Sequence, residues 1–342
     1  MMNIATEFSR DVLLLDAAAA VRELAHSIRQ TVLQNLRRRG AVVGLSGGVD
    51  SSVTAALCVQ ALGKERVFGV FMPEEDSSDE SLTLGRLLAE RLGIPTVVEN
   101  IAPALRALGC YSRRDAAIRK VIPEYGPGWK SKIVLPDLLA GSYYSIYSIV
   151  AQSPAGEVHK KRLTPEAYLG VVAATNFKQR TRKMLEYYHA DRLWYAVAGT
   201  PNRLEYAQGF FVKNGDGSAD FKPIAHLYKT QVYQLGWHLG LPEEILRRPP
   251  TTDTYSMEQS QEEFFFSIRL ETLDLCLYGK NHGVNAAEVA AAAGLTVDQV
   301  RRIYSNIEAK LASTRYQHMP PQLVEPVEEV SIQESHGNAG GH

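Results

Sequence analysis

The sequence predicts an α/β chain built on a parallel sheet, and three observations predict it. Ala41-Val-Val-Gly-Leu45, Arg66-Val-Phe-Gly-Val-Phe-Met72 and Thr96-Val-Val98 are short apolar runs without polar alternation, as strands covered on both faces require. Amphipathic helical stretches separate them, so the strands join through βαβ units, whose crossovers are right-handed. The 342 residues are 45% apolar and 22% charged, enough to bury a sizeable core.

Each element has its own warrant. Val12, Leu15, Ala19, Val21, Leu24, Ile28, Val32 and Leu36 recur at near-helical spacing over 12–38, and Arg37, Arg38 and Arg39 suit the negative end of that helix. After the first strand a glycine-containing turn leads into a second helix, to about Leu62. A third helix over 79–92 carries Leu84, Leu87, Leu88 and Leu92 and stops at Gly93. From Ile101 to Leu169 the periodicity weakens. That stretch, with Gln152-Ser-Pro-Ala-Gly-Glu157 as a hairpin tip, reads as an insertion at about 105–165. Its aromatics Trp129, Tyr143, Tyr144 and Tyr147 are expected to form a small satellite core rather than a ring-stacking site. A helix over about 170–189 precedes a strand at Leu193-Trp-Tyr-Ala-Val-Ala198, then a loop over 207–230 and helices at 230–239, 259–277 and 285–314. Residues 1–322 are read as one domain and 323–342 as an extension, disordered over its last dozen residues.

Composition excludes several functions. With 37 basic and 38 acidic side chains the formal charge is −1, so nothing draws the chain to nucleic acid or anionic membrane, and any phosphate site is local. Cys58, Cys110 and Cys276 form neither a disulfide framework nor a zinc knuckle. The N-terminus does not read as a signal peptide, and no run reaches the ~18 apolar residues a membrane helix needs. A cytoplasmic chain is expected. Residues 286–302 resemble a helix-turn-helix, with Gly294 at the turn, but Asp298 opposes the two arginines of its second helix, which favours a packing role.

The most informative stretch is Gly44-Leu-Ser-Gly-Gly-Val-Asp-Ser-Ser52, between a strand and a helix. Unpaired N–H groups and the positive helix end favour an anion there. Gly47 and Gly48 let the backbone approach it, and Ser46, Ser51 and Ser52 add hydroxyls. Asp50 would repel phosphate unless it holds a divalent cation bridging to it. The loop lacks the GxxxxGK[ST] of kinases and GTPases. SGGxDS resembles the N-type ATP pyrophosphatases, which cleave ATP between the α and β phosphates.

Four further stretches resemble the NAD synthetase family, in matching order and spacing. Asn176-Phe-Lys-Gln-Arg-Thr-Arg-Lys-Met184 is similar to the family's N-x-x-A-R-x-R-M helix, and Gly199-Thr-Pro-Asn-Arg-Leu-Glu205 to GTxNxxE. Gly209 to Asp220, with Pro223 and Leu227-Tyr-Lys-Thr-Gln231, is the third, and Pro250-Thr-Thr-Asp253 the fourth. The resemblance spans roughly 20–100 and 170–322. It implies a flavodoxin/Rossmann-like parallel sheet of about five strands and an ATP-dependent amide ligase. That ligase adenylates deamido-NAD and amidates it with ammonia to give NAD, AMP and pyrophosphate. By this resemblance Gly44, Leu45, Ser46, Gly47, Gly48, Val49, Asp50, Ser51, Thr200, Lys229 and Thr251 contact ATP, with Lys229 clamping the phosphates. Asp50 and Glu205 share Mg²⁺; Arg180, Lys213, Asp220 and Arg315 meet the dinucleotide; Asp216 positions or deprotonates ammonium. A homodimer with the dinucleotide at its interface is also implied.

Three departures stand out. Phe71-Met72-Pro73 lacks the arginine that often precedes this proline in the family, and Glu74-Glu-Asp76 makes the loop acidic. Thr314-Arg-Tyr-Gln-His-Met-Pro320 carries Arg315 and His318 in place of the family's His-Lys-Arg segment. The insertion adjoins the acceptor's entrance. No glutaminase module is visible, so free ammonia, or ammonia from a separate glutaminase, is the implied nitrogen source. A ligase amidating another small carboxylate, a non-catalytic nucleotide-binding regulator and a tRNA-thiolating enzyme are the alternatives; the last usually needs reactive cysteines that these motifs lack.

Overall fold

The computed structural model describes residues 8–135, 138, 147–252, 254–325 and 327. Tyr143, Tyr144, Asp253 and the expected C-terminal tail lie outside them.

The first helix is interrupted. A short 3₁₀ turn (Arg10–Leu13) precedes α1 (Ala17–Arg29), which Asp16 caps by accepting from the Ala19 N–H at 2.9 Å, and the chain then widens into a π-helical turn over Gln30–Asn35. β1 (Ala41–Gly44), α2 (Val49–Leu62), β2 (Val67–Phe71), α3 (Asp79–Leu92) and β3 (Thr96–Val98) follow as expected. Ser78 caps α3, and Gly93 ends it in the left-handed region at φ 66°. Next come α4 (Ala102–Ala107), α5 (Cys110–Arg119), β4 (Lys130–Val134), β5 (Ser148–Gln152) and β6 (Val158–Arg162). They lead to α6 (Pro165–Leu193), β7 (Ala196–Ala198), α7 (Arg203–Gln208), α8 (Lys229–His238) and α9 (Glu243–Arg247). A second π turn (Glu262–Phe266) precedes α10 (Leu270–Asn281), α11 (Ala286–Ala293) and α12 (Val297–His318).

The expected strand from Leu193 is shorter than its apolar run. Leu193 still belongs to α6, Trp194 caps that helix in the left-handed region, and pairing starts at Ala196. Glu205 sits in α7, which runs to Gln208, so the loop expected over 207–230 begins at Gly209 and ends where α8 starts at Lys229.

The main sheet has the order β3-β2-β1-β7, every pair parallel. Phe221 extends it past β7 by a single bridge to Ala198, so the fifth strand of the expected sheet is reduced to one residue. The chain moves outward from β1 through β2 to β3, then returns to the other side of β1 as β7. This reversal opens a crevice at the strand ends, where ligands bind in such sheets. α2 fills the layer beneath, with Val53, Ala55, Leu57 and Cys58 buried against the sheet and α8.

The insertion forms an antiparallel sheet, β4-β5-β6, with its hairpin turn at 153–157. Ile118, Ile122, Tyr125, Ile133, Ile149 and Val171 form a satellite core beneath it, flanked by Trp129 and Tyr147. The acidic loop after β2 also finds its partners here. Lys178 of α6, buried to 1% exposure, reaches Glu74 at 2.9 Å and Asp76 at 2.6 Å. Arg114 of α5 pairs with Asp76 at 2.5 Å, and the Tyr111 hydroxyl donates to Glu74 at 2.9 Å. Two carboxylates and two cations balance inside the protein, as buried charges must.

α10, α11 and α12 pack through Leu273, Leu277, Val289, Val300, Ile303 and Ile307, so the helix-turn-helix pattern serves packing. All three cysteines are free and buried. No helix among the described residues is long and apolar enough to cross a membrane.

Candidate active site

The loop after β1 is shaped by its glycines and serines. Gly47 has φ +75°, and a Cβ there would strike the Ser81 backbone at the start of α3. Gly48 opens α2 in an extended conformation, and its carbonyl accepts from the hydroxyls of Ser51 (3.0 Å) and Ser52 (2.8 Å). The Ser46 and Ser51 hydroxyls lie 3.1 Å apart. The loop thus forms a collar of donors at a helix N-terminus.

Asp50, in the first turn of α2, meets residues brought in by β7. Its Oδ2 accepts from Lys229 Nζ, and its Oδ1 from Asn202 Nδ2 at 3.0 Å. Asn202 also caps α7: its Oδ1 accepts from the Leu204 and Glu205 N–H groups, while its own N–H donates to Glu205 Oε2 at 3.1 Å. Gln261 Nε2 donates to Glu205 Oε1 at 2.9 Å. Burial and the neighbouring Asp50 push the Glu205 carboxyl up, against the pull of Lys229. For Lys229, burial would favour the neutral amine, but Asp50 and Glu205 outweigh it and hold the ammonium above its ordinary range.

Two hard carboxylates crowding one another are suited to a small divalent cation. Magnesium takes one or two carboxylates and completes its shell with substrate phosphates and water. Among the described residues no cluster of three or more His, Cys, Asp or Glu forms an all-protein metal cage. Asp50 and Glu205 fit magnesium presented with a nucleotide.

A cavity of about 430 Å³ opens over this corner, within the range of small-ligand sites. One wall is α6, whose residues Tyr168, Val172, Asn176, Gln179, Lys183 and Glu186 line it at helical spacing. From Tyr168 to Glu186 this wall is about 27 Å long at 1.5 Å per residue. Its Glu186 end meets the phosphate loop at Gly44, and its Tyr168 end stacks on Tyr147 of the insertion at 4.4 Å. Tyr147 therefore serves the satellite core and the cavity together, beyond the purely structural role expected of it. The end of α12 contributes Gln317 to the lining.

Most of the expected site converges. Gly44, Leu45, Ser46, Gly48, Val49, Asp50, Ser51, Thr200, Glu205, Asp216, Lys229 and Thr251 line the cavity, and Gly47 shapes the loop beneath it. Asp216 is fixed by the Val212 N–H, which donates to it at 2.7 Å; burial pushes its carboxyl up. Four residues stand elsewhere. Arg180 is exposed on α6 outside the cavity lining, its Nε donating to the Lys213 carbonyl at 3.3 Å. Lys213 Nζ caps the end of α12 through the carbonyls of Tyr316 and Met319, both at 2.9 Å. Asp220 is tied to the sheet by the Val197 N–H at 2.7 Å, and Arg315 is exposed on α12.

Arg248 lines the cavity without a strong sequence signal, whereas Arg182 and Lys183 lie within the Asn176–Met184 stretch. Arg248 reaches the hydroxyls of Ser81 (3.1 Å) and Ser78 (3.3 Å) at the start of α3. Arg182 Nε donates to the Met72 carbonyl at 3.4 Å, and Lys183 pairs with Glu186 at 2.5 Å. Asn202 was within reach of sequence reasoning, because N-x-x-E is a capping-box pattern.

A profile described as NAD synthase matches residues 20–121 and 142–318. The chain belongs to the NAD synthase family. It is 61% identical over 323 residues to the NH(3)-dependent NAD(+) synthetase of Rhizobium meliloti (strain 1021), covering 94% of this chain and 96% of that protein. The NH(3)-dependent NAD(+) synthetase of Mesorhizobium japonicum is 58% identical, over 91% of this chain and 98% of its own length. Among solved structures, the NMN synthetase of Francisella tularensis superposes with a TM-score of 0.59 at 21% identity, over 91% of this chain and 99% of that one. The NH3-dependent NAD synthetase of Campylobacter jejuni has the same TM-score and identity over 91% and 100%. These two likenesses establish the family's fold, and the curated relatives span the insertion as well.

Proposed function

We infer that this NAD synthase family member is an ATP-dependent amide ligase that converts deamido-NAD, ATP and ammonia to NAD, AMP and pyrophosphate. The observation that carries the reading is the phosphate loop at the sheet's switch point, with Asp50 and Glu205 converging beside Lys229. The 61% identity to an NH(3)-dependent NAD(+) synthetase over nearly both full lengths supports the same activity.

The residues divide the work. N–H groups and hydroxyls from Ser46 to Ser51 receive the phosphates, and Lys229 supplies a buried positive charge whose alternative partner is Asp50. Asp50 and Glu205 would hold magnesium, which supplies charge neutralisation on the β- and γ-phosphates. Thr200 and Thr251 offer hydroxyls to the nucleotide. The acceptor carboxylate oxygen attacks the α-phosphorus, the bond to the β-phosphate oxygen breaks, and pyrophosphate leaves. Ammonia then attacks the acyl carbon, the carbon–oxygen bond to AMP breaks, and one proton is released. Donors fixed before the reaction stabilise the charge gathered at each step. Asp216 faces this cavity as the group that receives the nitrogen donor.

The exposed side of α6 supports a homodimer. Leu169 and Met184 (each 63% exposed) and Tyr188 (59%) form an apolar stripe beside Arg180. A second copy there would place Arg180, Lys213, Asp220 and Arg315 next to the dinucleotide. The reading further takes residues 1–322 as one catalytic unit in the cytoplasm, fed by free ammonia or by a separate glutaminase.

The test is AMP and pyrophosphate release from Mg-ATP and ammonium, with and without deamido-NAD. Release that depends on deamido-NAD is expected. ADP with orthophosphate, or release indifferent to the acceptor, overturns the reading.

A further inference from the structure

Among the described residues the cations lining the cavity are Arg182, Lys183, Lys229 and Arg248. The first three are held from within. Lys229 pairs with Asp50, Lys183 with Glu186 at 2.5 Å, and Arg182 Nε donates to the Met72 carbonyl at 3.4 Å. The Arg248 side chain is 12% exposed, and its carboxylate partner among the described residues, Glu80 at 3.3 Å, is 65% exposed. Water screens so open a carboxylate, so this pairing is weak and leaves the charge of Arg248 to a ligand.

The backbone sets where that charge sits. Arg248 follows α9, whose Leu246 lies 2.6 Å from where a Cβ on Gly236 of α8 would be, so the two helices pack closely. Pro249 restricts Arg248 to extended backbone, which it adopts at φ −69° and ψ 128°. α8 opens with Lys229, so one packed unit carries both cations. They reach the phosphate loop from opposite flanks. Lys229 meets Asp50 on the β7 side, together with Asn202. Arg248 donates to Ser81 Oγ at 3.1 Å and Ser78 Oγ at 3.3 Å on the β2 side, at the start of α3. Gly47 packs against the Ser81 backbone, so Ser81 lies between the guanidinium and the loop. Each terminal nitrogen of Arg248 gives one N–H to a serine and keeps a second.

Nothing else on the β2 flank supplies positive charge. Gly44 to Ser52 contains no lysine or arginine, and Phe71, Met72 and Pro73 are uncharged. A triphosphate carries more negative charge than one magnesium ion cancels, and the leaving group gathers more. We propose that Arg248 binds the terminal phosphates of ATP through its free N–H groups, opposite Lys229, and holds pyrophosphate as it leaves. The inference rests on the ligase reading above. The bond from the α-phosphorus to the bridging oxygen breaks, and its electron pair stays on the pyrophosphate oxygen. Arg248 neutralises that charge without giving up a proton.

The experiment is calorimetric titration of the full chain, with magnesium present, by inorganic pyrophosphate and separately by AMP. In Arg248→Met the dissociation constant for pyrophosphate should rise about 10- to 100-fold, as loss of charge-assisted hydrogen bonds does, while that for AMP stays within about twofold. Arg248→Lys keeps the charge but not the fork, and should fall between the two. Glu80→Gln is an exposed change that leaves Arg248 without a competing carboxylate, so it should tighten pyrophosphate binding about twofold. It reads the proposal even if melts show Arg248→Met to be unfolded. Pyrophosphate and AMP affinities falling together in folded Arg248→Met, an unchanged pyrophosphate affinity in it, or a weaker one in Glu80→Gln overturns the proposal. Absence of deamido-NAD-dependent AMP release from the unmodified protein would instead remove the ligase reading, and the pyrophosphate comparison would still decide the role of Arg248.

Discussion

Asn202 Nδ2 donates to Asp50 Oδ1 at 3.0 Å across 152 residues of sequence, joining the loop after β7 to the one after β1. The same residue caps α7 and donates its N–H to Glu205, so it orients both acidic groups of the phosphate end. Asn202→Ala should lose about 0.5–2 kcal/mol of stability with the cap and about 10- to 100-fold in kcat/KM for Mg-ATP, as loss of an orienting partner does. Asn202→Ser should recover the cap but not the contact to Asp50. Thermal melts and steady-state kinetics together check it: a stable, slow serine variant is expected, and a fast one contradicts the orienting role.

Gly47 and Gly48 should respond differently to the same substitution. Gly47→Ala meets both a left-handed backbone and the Ser81 carbonyl, so it should destabilise the protein by about 1–3 kcal/mol and weaken ATP binding. At Gly48, φ is −91° and the nearest atom to an added Cβ is Ser46 Oγ at 3.4 Å, so Gly48→Ala should fold normally. Urea unfolding and nucleotide titration distinguish the two, and equal effects would refute the steric account.

Asp274 of α10 is fully buried and holds the start of α8, accepting from the N–H groups of Lys229 (3.2 Å) and Thr230 (2.7 Å). Burial pushes its carboxyl up to about 6. Between the ordinary carboxylate value and 6 the folded protein therefore binds a proton that the unfolded chain releases. This contribution to stability is full at low pH and is lost as pH rises through 6. Asp274→Asn should flatten that slope, so its stability difference from the unmodified protein should change between pH 4.5 and 7. A constant difference would contradict the shift.

Lys310 of α12 has no carboxylate partner among the described residues. Its Nζ donates to the Phe265 carbonyl at 2.6 Å and sits 4.5 Å from that ring's centre. Burial pulls its pKa down to about 7. Here the unfolded chain binds the proton more tightly, so this contribution is fully present above about 10 and is lost as pH falls through 7. Lys310→Met should remove that dependence and raise the melting temperature below pH 7, which a series of melts from pH 6 to 9 would register.

The parts of the site legible in sequence were those where local chemistry and function coincide. Gly47, Asp50 and the strand before them announce themselves because a turn, a helix start and an anion seat demand the same residues. Leu193-Trp-Tyr-Ala-Val-Ala198 misled for a simple reason: an apolar run reads alike as a helix end or a strand. α6 blurs its own period by burying Lys178, Lys183, Glu186 and His189 on inward faces. Lys178 and His189 become visible only once their partners, from loops up to 104 residues away, are in place, while Lys183 and Glu186 pair with each other within the helix. Arg180 was sound as a helical residue, but its face could be assigned only after Lys183 and Glu186 had taken the inner one.

The balanced quartet of Glu74, Asp76, Arg114 and Lys178 governs how this protein can be re-engineered. Excising the insert as an ornament would strip Asp76 of its guanidinium and strand an anion beside the nucleotide chamber. A chimaera with a relative lacking the appendage must therefore exchange the acidic loop, α5 and the Lys178 turn of α6 as a single cassette.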